Sequence, residues 1–142
     1  MRNQPKPVWL SEIGDTPPVE WIWHLRIARR HLTTLEGAPG IGKSTLLTDI
    51  ASRLSRGQPL PDVPEKDRCF RMLRTLFVSA EDDGPTLRAR VLAGGGELSS
   101  IGVLEDPVTF PSHADVLRNM VHDYGIDLVV IDPINSFLAS NI

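Results

Sequence analysis

The chain has 142 residues, of which 41% are hydrophobic and 23% are charged, and its formal net charge is −3. This length suffices for one domain with a hydrophobic core, and the negative balance argues against a broad basic face for nucleic acid. The single cysteine, Cys69, excludes an internal disulfide framework. The N-terminal residues lack the apolar segment of a secretory signal, and no run is long enough to span a membrane. We therefore expect a cytoplasmic protein that does not enter a membrane.

The N-terminal part of the chain contains two segments of different character. Residues 1–20 hold four prolines among polar residues, which predicts an extended arm. Residues 19–27, VEWIWHLRI, alternate large apolar residues with others and predict a short strand or hairpin. Trp21 and Trp23 would share one face of it, packed against the core or the arm. We expect the single domain to begin after this arm, at residue 21.

A strand, a glycine-rich loop and a helix are predicted next. Residues 31–36, HLTTLE, are β-branched and apolar, which favours a strand. The sequence KSTLLTDIASRLS after the loop predicts a helix that ends at Gly57. Residues 57–72 are polar and rich in proline, and we expect a long surface loop there. The predicted apolar stripe of the helix consists of Leu46, Leu47, Ile50, Ala51 and Leu54.

The second strand and helix follow this loop. Residues 74–80, RTLFVSA, predict a core strand that ends just before three consecutive acids. Asp83 is suited to cap a helix that begins near Pro85 and ends at the three glycines 94–96. We expect the side chains of Leu87, Val91 and Leu92 to face the core.

The last third of the chain predicts a strand, a helix and a further strand. Residues 101–106 form the shorter strand, and residues 126–132, IDLVVID, read as a fully buried one. The helix is expected over residues 111–125, with Ser112 and Asp115 arranged like a capping box. Its predicted stripe is Leu117, Met120, Val121 and Tyr124. Alternating strands and helices predict an α/β fold in which helices flank a parallel sheet.

The glycine-rich loop carries the most specific motif of the chain. It matches the phosphate-loop pattern G-x-x-x-x-G-K-[ST] at every fixed position. Glycines let the backbone turn its N–H groups toward phosphate oxygens, and the following helix directs its partly positive N-terminus at the same anion. Lys43 would reach the β- and γ-phosphates, Ser44 would bind Mg²⁺, and Thr45 would lie near the α-phosphate. The motif residues are Gly37, Ala38, Pro39, Gly40, Ile41, Gly42, Lys43 and Ser44.

Two acids are predicted to lie at the same edge of the sheet as this loop. Asp132 ends the buried strand LVVID, and Glu81 follows the strand LFVSA. The carboxyl ends of parallel strands share one edge, so Asp132 can hold Mg²⁺ directly or through a water. Glu81 can orient or deprotonate the attacking water. Asp82 and Asp83 compete for that role, although Asp83 is better suited to cap the helix.

Three segments of the chain resemble the RecA-like ATPases of the RepA type. They are LTTLEGAPGIGKSTLLTDIASRLSRGQPLP, LFVSAEDDGPTLRARVLAGGGE and LVVIDPINSF. This plasmid- and phage-associated hexameric helicase group is often described only as AAA family ATPases. The resemblance covers about residues 18 to 139. Its most specific feature is the strand-end glutamate, Glu81, between the phosphate loop and Asp132. Pro133 stands where many other phosphate-loop ATPases place that glutamate.

The resemblance implies ATP and Mg²⁺ as ligands, with Glu81 as catalytic base and Asp132 as the Walker B acid. It also implies a hexameric ring with ATP at subunit interfaces, acting on single-stranded DNA in the full-length parent. RecA-like cores continue beyond the Walker B strand, and one later strand normally lies between that strand and the phosphate-loop strand. The DNA-binding loops, the sensor residue and the arginine supplied to a neighbour are expected beyond Ile142. The resemblance thus implies that residues 21–142 are the N-terminal portion of a RecA-like ATPase domain. We therefore expect a C-terminally incomplete sheet and weak ATPase activity from this chain alone.

Two other functions remain open from the sequence. A phosphate-loop kinase that transfers phosphate to a small molecule has the same loop, although such kinases typically need a pocket and a basic lid after the Walker B strand. A non-catalytic nucleotide-binding module needs only the loop itself. Glu81 favours water as the phosphate acceptor but does not decide between these alternatives.

Overall fold

A computed structural model describes residues 5–68 and 70–139. The chain divides into two units, Met1–Thr33 and Thr34–Ile142. The predicted arm and the tryptophan-containing segment both fall in the first unit, and the phosphate loop falls in the second. Cys69, on which the disulfide argument depends, lies outside the described residues. No helix within the described part of the chain combines the length and apolar character that crossing a membrane requires.

The first unit contains a small β-hairpin, which confirms the hairpin alternative for residues 19–27. Strand β1 (Trp21–Trp23) pairs antiparallel with β2 (Ile27–Ala28). Ile22 is the buried residue of β1, and the two tryptophans flank it. The Trp21 ring lies against His24 with ring centroids 6.0 Å apart, and the guanidinium of Arg26 lies 5.0 Å from the centre of the Trp23 ring.

The second unit is built around a parallel sheet, as the sequence predicts, but the described sheet has three strands where four were predicted. Its strands are β3 (Thr75–Ser79), β4 (Ile101–Val103) and β5 (Leu128–Asp132), in the spatial order β4-β3-β5. Each strand is shorter than its predicted segment. Thr75 pairs with Leu128 at one end of β3, and Ser79 pairs with Asp132 at the other. The carboxyl ends of β3, the central strand, and of β5, an edge strand, therefore lie side by side. Only Val130 of β5 is buried, so the prediction of a fully buried strand is wrong, because among the described strands β5 has a neighbour on one side only.

The segment 31–36, which was expected to form a strand before the phosphate loop, forms none, and this prediction is wrong. All six residues are exposed, and Leu32 retains 92% of its accessible surface. A strand needs a neighbour to pair with its backbone N–H and C=O groups, and no described segment pairs with 31–36. The β-branched composition favours a strand locally but cannot supply that partner.

Three helices cover the two faces of the sheet. Helix α1 (Lys43–Ser55) and helix α2 (Gly84–Ala93) lie on one face, where Ala51, Phe77, Leu87 and Val130 form a buried cluster. Helix α3 (Ala114–Tyr124) lies on the other face, against a second cluster. The buried members of that second cluster are Leu76, Val78 and Leu104.

The buried side of α1 is more polar than the predicted apolar stripe. Leu46 keeps 38% of its surface exposed, whereas Thr48, Ser52 and Ser55 are buried. The hydroxyls of these three residues donate hydrogen bonds to carbonyls one turn earlier in the same helix. A Cβ added to Gly94 would lie 3.0 Å from Ser52 Oγ, so the glycine end of α2 approaches α1 closely. Of the predicted stripe, Leu47, Ile50, Ala51 and Leu54 do pack inward, and the small buried residues lie beside them, where α2 approaches.

Helix α2 begins as predicted, because the Asp83 carboxylate accepts the N–H of Thr86 at 2.8 Å. Leu87 and Val91 are buried, but Leu92 is 48% exposed, which contradicts its predicted place in the core. Leu92 follows Val91 directly, and neighbouring residues of a helix point about 100° apart. Val91 therefore points toward the core, and the side chain of Leu92 points away from it.

Helix α3 starts three residues later than predicted and ends at Gly125, as predicted. It begins at Ala114, its N-cap is His113, and no side chain caps it. The expected capping box is wrong, because Asp115 instead binds Arg118 at 2.6 Å. Tyr124 is 61% exposed at the last turn, where the helix ends at Gly125 in the left-handed conformation. A helix with no fully buried residue leaves its terminal side chains in solvent.

Candidate nucleotide-binding site

The glycine-rich loop adopts a backbone that only glycine accommodates easily at two positions. Gly40 has φ +77° and Gly42 has φ +97°, and both values lie in the left-handed region that favours glycine. Residues 37–42 are all exposed to solvent. The loop is therefore an open turn whose shape depends on its second and third glycines.

Helix α1 begins directly at the end of this loop. The N–H of Leu46 closes the first turn onto the carbonyl of Gly42 at 2.9 Å. The N–H groups of Lys43, Ser44 and Thr45 consequently have no acceptor within the helix. Such a helix start attracts anions, because these N–H groups carry partial positive charge.

The Lys43 side chain folds back over the loop. Its Nζ donates to the carbonyl of Gly37 at 2.7 Å and to that of Ala38 at 3.0 Å. The ammonium therefore lies within the turn, where it offsets the partial negative charge of two carbonyl oxygens. A phosphate in the loop would offer the same ammonium a full negative charge, which makes a stronger hydrogen bond.

Ser44 and Asp132 are brought together although 88 residues separate them. The Ser44 hydroxyl donates to Asp132 Oδ2 at 2.9 Å. The bond connects the first turn of α1 to the end of β5, and both residues are half-buried. A hydroxyl and a carboxylate oxygen at this spacing are the hard ligands that Mg²⁺ prefers.

Glu81 lies on the turn that follows β3. Ala80, the preceding residue, donates its N–H to the carbonyl of Asp132 at 3.0 Å, so the turn begins beside the end of β5. Asp82 forms an ion pair with Arg90 of α2, and Asp83 caps α2. In the described ranges, the Glu81 carboxylate forms no hydrogen bond or ion pair. Of the three consecutive acids, Glu81 alone has its carboxylate available to a ligand.

The cap also changes the acidity of Asp83. Hydrogen bonds from Thr86, first through its side chain and then through its backbone, lower the pKa of the Asp83 carboxyl below 3.8. The hydrogen bonds of the helix cap thus favour the charged form of the Asp83 carboxyl. This supports the sequence-based assignment of Asp83 to the helix cap.

Two features of this turn were not found from the sequence. The Ser79 hydroxyl accepts the N–H groups of Glu81 and Asp82, and Arg90 neutralises Asp82. A serine two residues before an acid at a strand end is a usable signal, since serine hydroxyls often accept nearby backbone N–H groups. Arg90 could not be assigned to Asp82 before the start of α2 was known.

A comparison with protein families gives one result. A family model described as an AAA domain matches residues 3–141. The matched range includes the glycine-rich loop, the turn after β3 and the end of β5. Neither a curated protein nor a solved structure shows a significant match to the chain.

Proposed function

The chain belongs to the AAA domain family, which is of the phosphate-loop ATPase type, and on this premise we propose that it binds ATP with Mg²⁺ and hydrolyses it. The hydrogen bond between Ser44 and Asp132 carries the proposal. It brings the loop that would grip phosphate to the strand end that would hold the cation. Phosphoryl transfer depends mainly on such positioning and on charge stabilisation.

Lys43 would bind the terminal phosphates. The ammonium would leave the carbonyls of Gly37 and Ala38 and pair with phosphate oxygens. The N–H groups at the start of α1 would bind the same phosphates, and Thr45 would lie near the α-phosphate. The residues of the cradle are Gly37, Ala38, Pro39, Gly40, Ile41 and Gly42 together with Lys43, Ser44 and Thr45.

The Ser44 hydroxyl and the Asp132 carboxylate would hold the cation, directly or through a water. Both side chains offer oxygen ligands, and the 2.9 Å hydrogen bond between them supports a shared role in holding one cation. Held there, a bound Mg²⁺ would supply positive charge that stabilises the phosphate oxygens. Asp132 would turn its Oδ2 from the Ser44 hydroxyl toward the cation.

Glu81 would act on the water that attacks the γ-phosphate. Its carboxylate is exposed on the turn that begins beside Asp132. A carboxylate there can accept a proton from the water or orient it for in-line attack. The neighbouring acids are occupied by Arg90 and by the cap of α2. Water is therefore the favoured phosphate acceptor, rather than a small molecule.

We also propose a RepA-like role in DNA replication, in which the protein works as a hexameric ring on single-stranded DNA. The proposal rests on the order of the site residues along the chain, in which Glu81 stands between the phosphate loop and Asp132. Measuring ATP hydrolysis by the protein with and without single-stranded DNA tests this role. Stimulation of at least several-fold is expected, and an unchanged rate together with a monomeric protein would contradict it.

The ATPase proposal is tested with Glu81→Gln. Removing the general base lowers the hydrolysis rate by about 10²–10⁴-fold, whereas the dissociation constant for ATP changes little. Steady-state hydrolysis and equilibrium binding of a fluorescent ATP analogue measure the two effects. Lys43→Ala acts at an earlier step, and we expect it to weaken binding itself.

Glu65 and Lys66 provide matched controls. Both are exposed residues of the 3-10 helix Glu65–Asp67, within the surface loop. Glu65→Gln and Lys66→Ala should leave binding and hydrolysis unchanged. ATP binding without hydrolysis by the unaltered chain would instead favour a non-catalytic module. Phosphate transfer to a small molecule in place of water would favour a kinase.

A further inference from the structure

Ser79 is the last residue of β3 and faces the same side of the sheet as Asp132. Strand residues alternate between faces, so Ser79 shares the α1 side with Phe77, and Asp132 shares it with Val130. The two residues are direct partners in the parallel register. The Ser79 hydroxyl therefore lies beside the carboxylate that meets Ser44.

The Ser79 hydroxyl fixes the first backbone groups of the turn. Its oxygen accepts the N–H of Asp82 at 3.0 Å and the N–H of Glu81 at 3.3 Å. One hydroxyl oxygen has two lone pairs and can accept both bonds. Because β3 ends at Ser79, these two N–H groups are not bonded within the sheet. The Ser79 hydroxyl is the acceptor that fixes their position.

The end of the same turn that leads into α2 is also held by side-chain contacts. The Asp82 carboxylate pairs with Arg90, and Asp83 binds the N–H of Thr86 at the start of α2. The Glu81 backbone is thus held between a serine anchored in the sheet and two acids anchored on a helix. Its carboxylate is the part of the turn that remains available to act.

We propose that Ser79 is a positioning residue for Glu81, acting through the two backbone N–H groups that its hydroxyl accepts. The inference rests on the proposed ATPase function. A displacement of about 1 Å in a reacting group can cost up to 10²-fold in rate, so loosening this turn should lower the rate without touching the phosphate cradle. Ser79 is thus proposed as a positioning residue and not as a catalytic one, since its hydroxyl oxygen already accepts two backbone N–H groups.

The test compares Ser79→Ala, Ser79→Thr and Ser99→Ala. We expect Ser79→Ala to lower kcat about tenfold, with KM and the dissociation constant for ATP unchanged. Threonine keeps the hydroxyl and suits a strand, so Ser79→Thr should restore most of the rate. Ser99 is a matched serine in the 3-10 helix Leu98–Ser100, at the opposite end of the sheet, and Ser99→Ala should leave kcat and KM unchanged.

A double-mutant cycle separates positioning of Glu81 from a general structural role. If Ser79 acts through Glu81, adding Ser79→Ala to Glu81→Gln lowers kcat no further. Independent losses that multiply would overturn the inference, as would an equal loss in the alanine and threonine variants.

Amide hydrogen exchange gives a readout that does not depend on catalysis. Ser79→Ala should speed exchange at the N–H groups of Glu81 and Asp82, whereas unchanged exchange there would overturn the inference. Failure of the ATPase proposal appears separately, as absent hydrolysis by the unaltered chain.

Discussion

The two faces of the central sheet are packed differently. On the face of α1 and α2, Ala51, Ser52 and Ser55 have no exposed surface, and Phe77 is 3% exposed. On the opposite face, α3 has no buried residue at all. An apolar groove of about 390 Å³ lies between α3 and β5, lined partly by Leu117 and Val129.

The difference coincides with the location of the candidate site. Ser44 belongs to α1, Glu81 precedes α2, and Asp132 faces the same side as both helices. Groups that must be held to within a fraction of an ångström require a rigid support. The densely packed face supplies it, since side chains in a close-packed interior have few alternative positions. The α3 face carries none of the proposed site residues.

The largest effect should come from removing one aromatic ring from each face. Phe77→Ala empties a fully packed position and should lower the free energy of unfolding by about 3–5 kcal/mol. Phe137→Ala acts on a half-buried ring of the α3 face and should cost about 1–2 kcal/mol. Urea denaturation measures both values. Equal losses would mean that the two faces are equally well packed in solution.

A smaller effect should follow from adding one methyl group. A Cβ on Gly96 would lie 2.7 Å from Val91 Cγ1 and 3.1 Å from the Cα of Ser52, where backbone cannot easily yield. Gly96→Ala should therefore cost about 1–3 kcal/mol. A Cβ on Gly102 would meet only Leu76 Cδ1, at 3.5 Å. Gly102→Ala should change stability by less than about 0.5 kcal/mol, and a larger loss there would weaken the comparison.

The same contrast explains how much the sequence could predict. The strands, the start of α1 and the Asp83 cap follow from local patterns of apolar, capping and glycine residues. Which residues of α1 are buried does not follow from local patterns. Ser52 is buried by Gly94 and Gly96, which lie 42 and 44 residues later in the sequence. Segment 31–36 fails for a similar reason: its local pattern favours a strand, but strand formation requires a partner elsewhere.

The candidate site divides in the same way. The phosphate-loop residues and the two acids could be named from motif and topology. Their assigned roles stay predictions, whereas the bond between Ser44 and Asp132 is a contact in the structure. The Ser79 hydroxyl and the Arg90 ion pair depend on the exact turn after β3. Hydrogen bonds within a turn require atomic positions, which residue types alone do not give.

The smallest expected effect on stability concerns the N-terminal caps of α2 and α3, which lie on opposite faces of the sheet. Asp83 caps α2, and its lowered pKa means that the folded state favours the carboxylate. The stabilisation is complete above pH 3.8 and is lost as the pH falls through the lower folded pKa. Asp83→Asn keeps a good cap without a titrating group. Its free energy of unfolding should therefore fall less than that of the unaltered protein on acidification.

Helix α3 supplies the control for this comparison, because no side chain caps it. Ser112→Ala should leave stability unchanged at every pH, as Ser112 does not serve as a cap. Glu97 also has a lowered pKa, through its bonds from Ser99, but this contribution is common to all variants and cancels in the difference. Parallel pH profiles for the unaltered protein and Asp83→Asn would show that the cap is not formed in solution. In that case the turn that carries Glu81 would be held less firmly at its α2 end than the Asp83–Thr86 hydrogen bond indicates.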